Sequence, residues 1–263
     1  DYIAGNHGLN SIFQASRQEP ISLLTGDLDQ NGQSDPLVFQ YTDGVNAPFV
    51  NRDIFTSQMP AYNNQYYSFS KYASANFESI VTEELKSKVS LQEVYELRSS
   101  VFINQGNGAF EQRALPTIAQ TAPVYGLLAQ DVDEDGNLDL TISGNTYSNH
   151  YEYGSMDALG GALLWGNGDG TFKSDPAKDT SFDLLKAGRS LSLMYHAASG
   201  RPYLLAANND GPLQAFKWDT DAVVIDVPSN ATHAVASMKD GSEQRWEFYT
   251  GGGYLSQSFR KMI

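Results

Sequence analysis

The strongest constraint in this chain is a nine-residue acidic pattern that occurs twice. It reads Asp27-Leu28-Asp29-Gln30-Asn31-Gly32-Gln33-Ser34-Asp35 and Asp131-Val132-Asp133-Glu134-Asp135-Gly136-Asn137-Leu138-Asp139. Side-chain oxygens at positions 1, 3, 5 and 9, with a Gly at position 6 to let the backbone fold back, can converge on one hard cation, which takes roughly six to eight oxygens. The carbonyls of Gln33 and Asn137 at position 7, and water, would complete each set. Two calcium sites are the expectation, with the second loop, which carries four carboxylates against three, binding more tightly. A solvated Asp/Asn/Gly turn is the plain alternative, but it does not account for four aligned oxygens and a Gly occurring twice. An EF-hand would close with a bidentate Glu at position 12 between helices, and here that position is Val38 or Ile142. Short runs rich in strand formers flank both loops, Ile21–Leu24 and Leu37–Tyr41, Leu127–Ala129 and Leu140–Ile142. Each loop is therefore predicted to join two strands.

Further motifs recur in a fixed order. Gly5-Asn6, Gly144-Asn145 and a degenerate Ala207-Asn208 follow apolar runs, and Asn104–Phe110 and Gly166–Phe172 are Gly/Asn turns that lead into Phe. Gly and Asn supply the positive φ that tight hairpins need. Acidic loop, Gly-Asn and Gly-turn-Phe together resemble the FG-GAP/VCBS repeat of integrin-like β-propellers, in which the acidic loop joins the first two strands of a blade. The ending Gly251-Gly-Gly-Tyr254-Leu255-Ser256-Gln257 is similar to ASPIC/UnbV segments, which follow such repeats in bacterial surface proteins. The resemblance implies calcium in a structural role and an exported protein, extracellular or at a cell surface.

The expected fold is all-β, a partial β-propeller of FG-GAP/VCBS blades with a helical insertion and a C-terminal β segment. Blades would fill residues 1–218, as a half blade at 1–20 and blades at 21–117, 118–183 and 184–218, with an ASPIC/UnbV-like segment at 219–263. The half blade implies a loop and further blades upstream of Asp1. In the last blade His196–Gly200 stands where an acidic loop would be. The long insertion at 43–99 contains Phe77, Ile80, Val81 and Leu85 at helical spacing, Asn76 as N-cap and Lys86 and Lys88 in the last turn, which predicts one helix. Strands are expected over 222–227, 234–238 and 244–249, with a hairpin turn at Asp240-Gly241.

Composition narrows the function classes. The 31 acidic residues against 17 basic ones give a formal charge of −14, which opposes nucleic acid and anionic lipid and favours cations. With no cysteine, disulfides, thiol catalysis and cysteine-held metals are excluded. No apolar run approaches the roughly 20 residues of a membrane-spanning helix.

No catalytic motif stands out, so the expectation is a non-enzyme. His7, His150, His196 and His233 are dispersed, and His150 near Asp157 is the only base and acid pairing that the sequence suggests. Binding falls to the insertions. Tyr66 and Tyr67 in the long one, and Tyr147, His150, Tyr151 and Tyr153 in the short one at 146–159, combine aromatic faces with amides, as sugar and protein sites do. Packing of Tyr66, Tyr67 and Phe69 onto the blade is the bland reading of the first group. The expected role is a calcium-stabilised binding or scaffold module for a protein or glycan, and the alternative is a carbohydrate-active enzyme or its polysaccharide-recognition part.

Overall fold

The computed structural model describes residues 1–175, 183–184, 186–220, 224–237, 241, 243–253 and 257–262. Strand β1 (Tyr2–Ala4) is followed by β2 (Ile21–Thr25), β3 (Leu37–Thr42) and β4 (Val45–Pro48). Helices α1 (Arg52–Gln58), α2 (Phe69–Tyr72), α3 (Phe77–Ile80) and α4 (Glu83–Lys86) come next, then β5 (Ser90–Val94), β6 (Ser100–Gly106) and β7 (Ala109–Ala114). The chain continues through β8 (Val124–Gln130), β9 (Asp139–Gly144), β10 (Ala162–Gly166), β11 (Phe172–Ser174), β12 (Ala187–Tyr195), β13 (Pro202–Asn209) and β14 (Gln214–Lys217). It ends with β15 (Ile225–Asp226), β16 (His233–Ser237), β17 (Glu243–Glu247) and β18 (Lys261–Met262). The all-β class is as expected. Among the described residues no helix is long and apolar enough to cross a membrane.

The chain divides into two compact units, 11–97 and the remainder. In the larger unit three antiparallel sheets follow one another, β1-β6-β7, then β8-β9-β10-β11, then β12-β13-β14. Ile3, Val101 and Ile103 of the first sheet share a core with Val124, Leu140, Ile142 and Leu164 of the second. Leu128 of the second packs with Leu191, Leu204 and Phe216 of the third. The second sheet thus packs on the first and on the third, because it has apolar side chains on both faces and must cover both. The β16-β17 hairpin and the β15-β18 pair follow, and Phe259 and Ser258 are hydrogen-bonded to Leu193 of β12 at 3.1 and 3.0 Å. Ala222-Val223, Met238, Asp240 and Tyr254–Ser256, on which parts of the C-terminal expectation rest, lie outside the described residues.

Two expectations need correction. Residues 21–117 do not form one interrupted blade: β2 and β3 take β4 and β5 from the supposed insertion into a sheet ordered β4-β3-β2-β5, while the β6-β7 hairpin pairs with β1 through Tyr2↔Phe102 and Ala4↔Ser100. The Gly-Asn after β1 and the Gly turn between β6 and β7 therefore serve one sheet although Tyr2 and its partner Phe102 stand 100 positions apart in the sequence. Motif order along the chain does not decide which strands meet when the connection holds a compact unit of its own. The hairpin at Asp43-Gly44, with φ of 50° and 76°, is a type I′ signal that placed β4 beside β3.

The single helix expected from Phe77 to Leu85 is two one-turn helices. Asn76 caps α3 and forms a capping box with Ser79, but Thr82 adopts extended φ and ψ and caps α4 through a bond from the Leu85 N–H. A β-branched pair, Val81-Thr82, loses χ1 freedom in a helix and Thr is a favoured N-cap, so the turn breaks there. Ile80, Val81 and Leu85 are still buried as their spacing implied.

Candidate metal centres

The two acidic loops fold alike, residue for residue. Position 4 is left-handed in both, Gln30 at φ 61° and Glu134 at 62°, and Gly at position 6 has φ 87° and 91°. The position-1 carboxylate accepts the N–H of position 6, Asp27 from Gly32 at 2.9 Å and Asp131 from Gly136 at 3.0 Å. The position-9 carboxylate accepts the N–H of position 2, Asp35 from Leu28 at 3.0 Å and Asp139 from Val132 at 2.8 Å. Position 5 accepts from the N–H of position 7, Asn31 from Gln33 and Asp135 from Asn137, both at 2.8 Å. Neighbouring structure anchors the frames: Leu28 is buried in the core of the smaller unit, and Asp139 also accepts the Gly166 N–H at 2.9 Å.

This frame brings together Asp27, Asp29 and Asp35 in one loop and Asp131, Asp133 and Asp139 in the other, with one oxygen of each within 4.8 Å of the rest. Oxygens around a shared calcium ion, each about 2.3–2.6 Å from it, are spaced on that scale. Asp29 Oδ1 and Asp131 Oδ1 are buried with no hydrogen-bond partner, a costly arrangement for a carboxylate oxygen unless a cation meets it. The donor set is all oxygen, suited to a hard ion and not to a thiophilic one. By these measures the residues fit calcium. Asp135, whose oxygens accept from Asn137 at 2.8 and 3.1 Å as Asn31 does from Gln33, is not among the three carboxylates that converge, so each loop brings three together.

Burial pushes the Asp131 and Asp139 carboxyls above the ordinary aspartate range. Nearby carboxylates push the same way, and backbone N–H groups, Gly136 and Glu134 for the first, Gly166 and Val132 for the second, oppose the rise. A raised folded-state pKa contributes stability that is present below the unfolded value and lost as pH rises through the folded one. Calcium-free protein should therefore lose stability in the larger unit as pH rises from the ordinary aspartate value, near 4, through that raised range. Calcium, which binds the ionised form, should reverse the trend. Melting curves with EDTA and with calcium across pH 4 to 7 check this; parallel curves would contradict it.

The surface candidates fare unequally. Tyr66 is 4% exposed and stacks among Phe55, Tyr62 and Tyr72, its hydroxyl 3.2 Å from Ser79 Oγ. It is core and no ligand platform, whereas Tyr67 and Phe69 are exposed. In the short insertion, Tyr147 and Tyr151 are exposed, Tyr153 is half-buried, and the His150 ring lies 4.2 Å from that of Tyr151 and 5.7 Å from that of Tyr153. The acid at His150 is Glu152, 4.0 Å away. His7, His196 and His233 sit on separate elements, after β1, after β12 and at the start of β16.

A residue that the sequence offers only as half of a Gly-Asn motif holds this loop. Asn145, fully buried at φ 77°, donates to the Leu159 carbonyl at 2.6 Å and accepts the Leu159 N–H at 3.0 Å, while Thr146 and Met156 bridge above it. A Cβ on Gly144 would stand 1.8 Å from the Pro123 carbonyl oxygen, and one on Gly5 would stand 2.3 Å from that of Val124. Gly5 thus lets β1 approach β8 of the next sheet, Gly144 lets β9 close on the segment leading into its own neighbour β8, and Asn145 clamps the base of a loop. The turn at 196–200 closes with Gly200 N donating to the His196 carbonyl at 2.8 Å. Compared with protein-family models, with curated proteins and with solved structures, the chain matches none.

Proposed function

We propose that this chain is a calcium-stabilised binding module, built from consecutive blades of an FG-GAP/VCBS-like propeller, that presents its short insertion to a protein or glycan partner. The duplicated hydrogen-bond frame with its two carboxylate triads carries the reading, since a solvated turn has no need to aim a buried unpartnered oxygen at two others. Bound calcium would offset the mutual repulsion of each triad and pin the turn between two strands. Loops that lack the position-12 bidentate Glu suit extracellular calcium, where a Kd of ~0.1 mM suffices, and this supports export. The four-stranded β8–β11 sheet, with the acidic loop between its first two strands and the Gly turn between its last two, supports the blade reading. The exposed aromatic residues of 147–153 on a buried Asn145 clamp support the binding reading, because function concentrates on loops held by a rigid scaffold.

Calorimetric titration should find two calcium ions per chain, with Asp29→Asn and Asp131→Asn each removing one. Saturation at ~1 mM calcium contributes about 1.4 kcal/mol per site at that affinity. Because the sites lie in different units, the smaller one, about 90 residues, should rise by roughly 6–11 °C and the larger by roughly 3–6 °C. Magnesium, which demands tight octahedral geometry, should do much less. No heat on titration, or melting unmoved by EDTA, would refute the metal reading. For the binding reading, the pair Tyr147→Ala and Tyr151→Ala should abolish glycan or protein capture while the calcium shift survives.

A further inference from the structure

The guanidinium of Arg189 is fixed on three sides. Its Nη1 donates to the Asn145 carbonyl at 2.8 Å and to that of Gly188 at 3.2 Å, and its plane lies over the Tyr125 ring, 4.3 Å from the centroid. These contacts use one nitrogen. Nε and Nη2, whose N–H bonds run parallel along the opposite edge, have no protein partner among the described residues, and Arg189 as a whole is half-buried. Arg52, Arg113, Arg201 and Arg245 are each neutralised by a carboxylate, Asp53, Glu111, Asp219 and Glu247. In a chain of net charge −14, Arg189 instead keeps a preorganised two-donor fork open, the geometry that takes a carboxylate bidentately.

Its surroundings narrow the ligand. Tyr125 is 45% exposed, and Tyr147, two residues beyond the carbonyl that Arg189 grips, is 46% exposed. A sugar ring offers an apolar C–H face to such aromatics and, in a uronic acid, a planar carboxylate at its edge. We infer that Arg189, Tyr125 and the loop starting at Asn145 form a subsite for a uronate residue of an acidic polysaccharide. This rests on the glycan branch of the function proposed above. A peptide carboxylate would satisfy the fork but would make no use of the exposed surface that Tyr125 keeps beside the guanidinium.

The test needs no variant at first. De-esterified polygalacturonate oligomers should bind the wild-type chain in excess calcium, and fully methyl-esterified oligomers of the same length should bind about tenfold to a hundredfold more weakly, as loss of a charge-assisted bidentate contact implies. Arg189→Gln should reduce binding of the de-esterified oligomer to the same extent without changing that of the esterified one. Arg189→Lys, which keeps the charge and loses the fork, should recover only part, and thermal melting would confirm that each variant is folded. Equal affinity for the two oligomers, or de-esterified binding retained in folded Arg189→Gln, overturns the subsite while leaving a neutral-glycan module standing. Binding of polyglutamate at matched charge, with no glycan bound, overturns it in favour of an acidic peptide. If neither polymer binds, the subsite is refuted, and capture of any other partner that depends on Tyr147 and Tyr151 decides the wider reading separately.

Discussion

Tyr66→Ala should cost about 3–5 kcal/mol, the range for emptying a large aromatic from a packed core. The ring lies within 6.3 Å, centroid to centroid, of Phe55, Tyr62 and Tyr72, and the Tyr66 carbonyl accepts from Arg52 Nε at 2.6 Å, which ties the helical segment together. The smaller unit, about 90 residues, should then melt at least roughly 12 °C lower, while the larger unit keeps its own transition. Differential scanning calorimetry separates the two. A Tyr66→Ala chain with unshifted melting and lost ligand binding would return Tyr66 to the surface role that its sequence neighbourhood suggested.

Asn145→Ala is the second large effect. The substitution strips partners from the buried N–H and carbonyl of Leu159, each worth about 1–3 kcal/mol when left unpaired, and places an alanine at φ 77°, which adds about 1 kcal/mol. A loss of about 3–5 kcal/mol in the larger unit, read by urea denaturation, is the expected outcome, with the 147–155 loop becoming the first site of proteolytic cleavage. A loss below about 1 kcal/mol would mean that the Thr146–Met156 bridge holds the loop unaided.

The candidate sites were legible to the extent that they are local. Nine consecutive residues fix an acidic loop, so Asp27, Asp29, Asp35, Asp131, Asp133 and Asp139 could be read directly and the structure brings each set together. That Asp135 would stand apart from the converging three could not, because spacing alone does not tell which of four acids draw together. Blade order failed where pairing is long-range: nothing in Tyr2–Ala4 names Ser100–Phe102 as its partner. Tyr66 and Tyr67, read together as either packing or binding residues, could not be told apart because two adjacent tyrosines differ only in which way a short helical segment turns them, one buried and one exposed. Arg189 carried no motif; its fork emerges from carbonyls and a ring contributed by three different strand ends and loops.

The pairing of β1 with β6 bears on how the chain acquires its structure in time. Tyr2–Ala4 leave the ribosome nearly a hundred residues before their partners, and closing a flexible loop of that length costs entropy that grows with its logarithm. Residues 11–97 carry their own core and sheet, so they can condense during that interval and shorten the effective separation before β6 arrives. The smaller unit is then the early-folding spacer for the sheet that brackets it. Calcium, by favouring the turn between β2 and β3, would act on the order of assembly as well as on the finished stability.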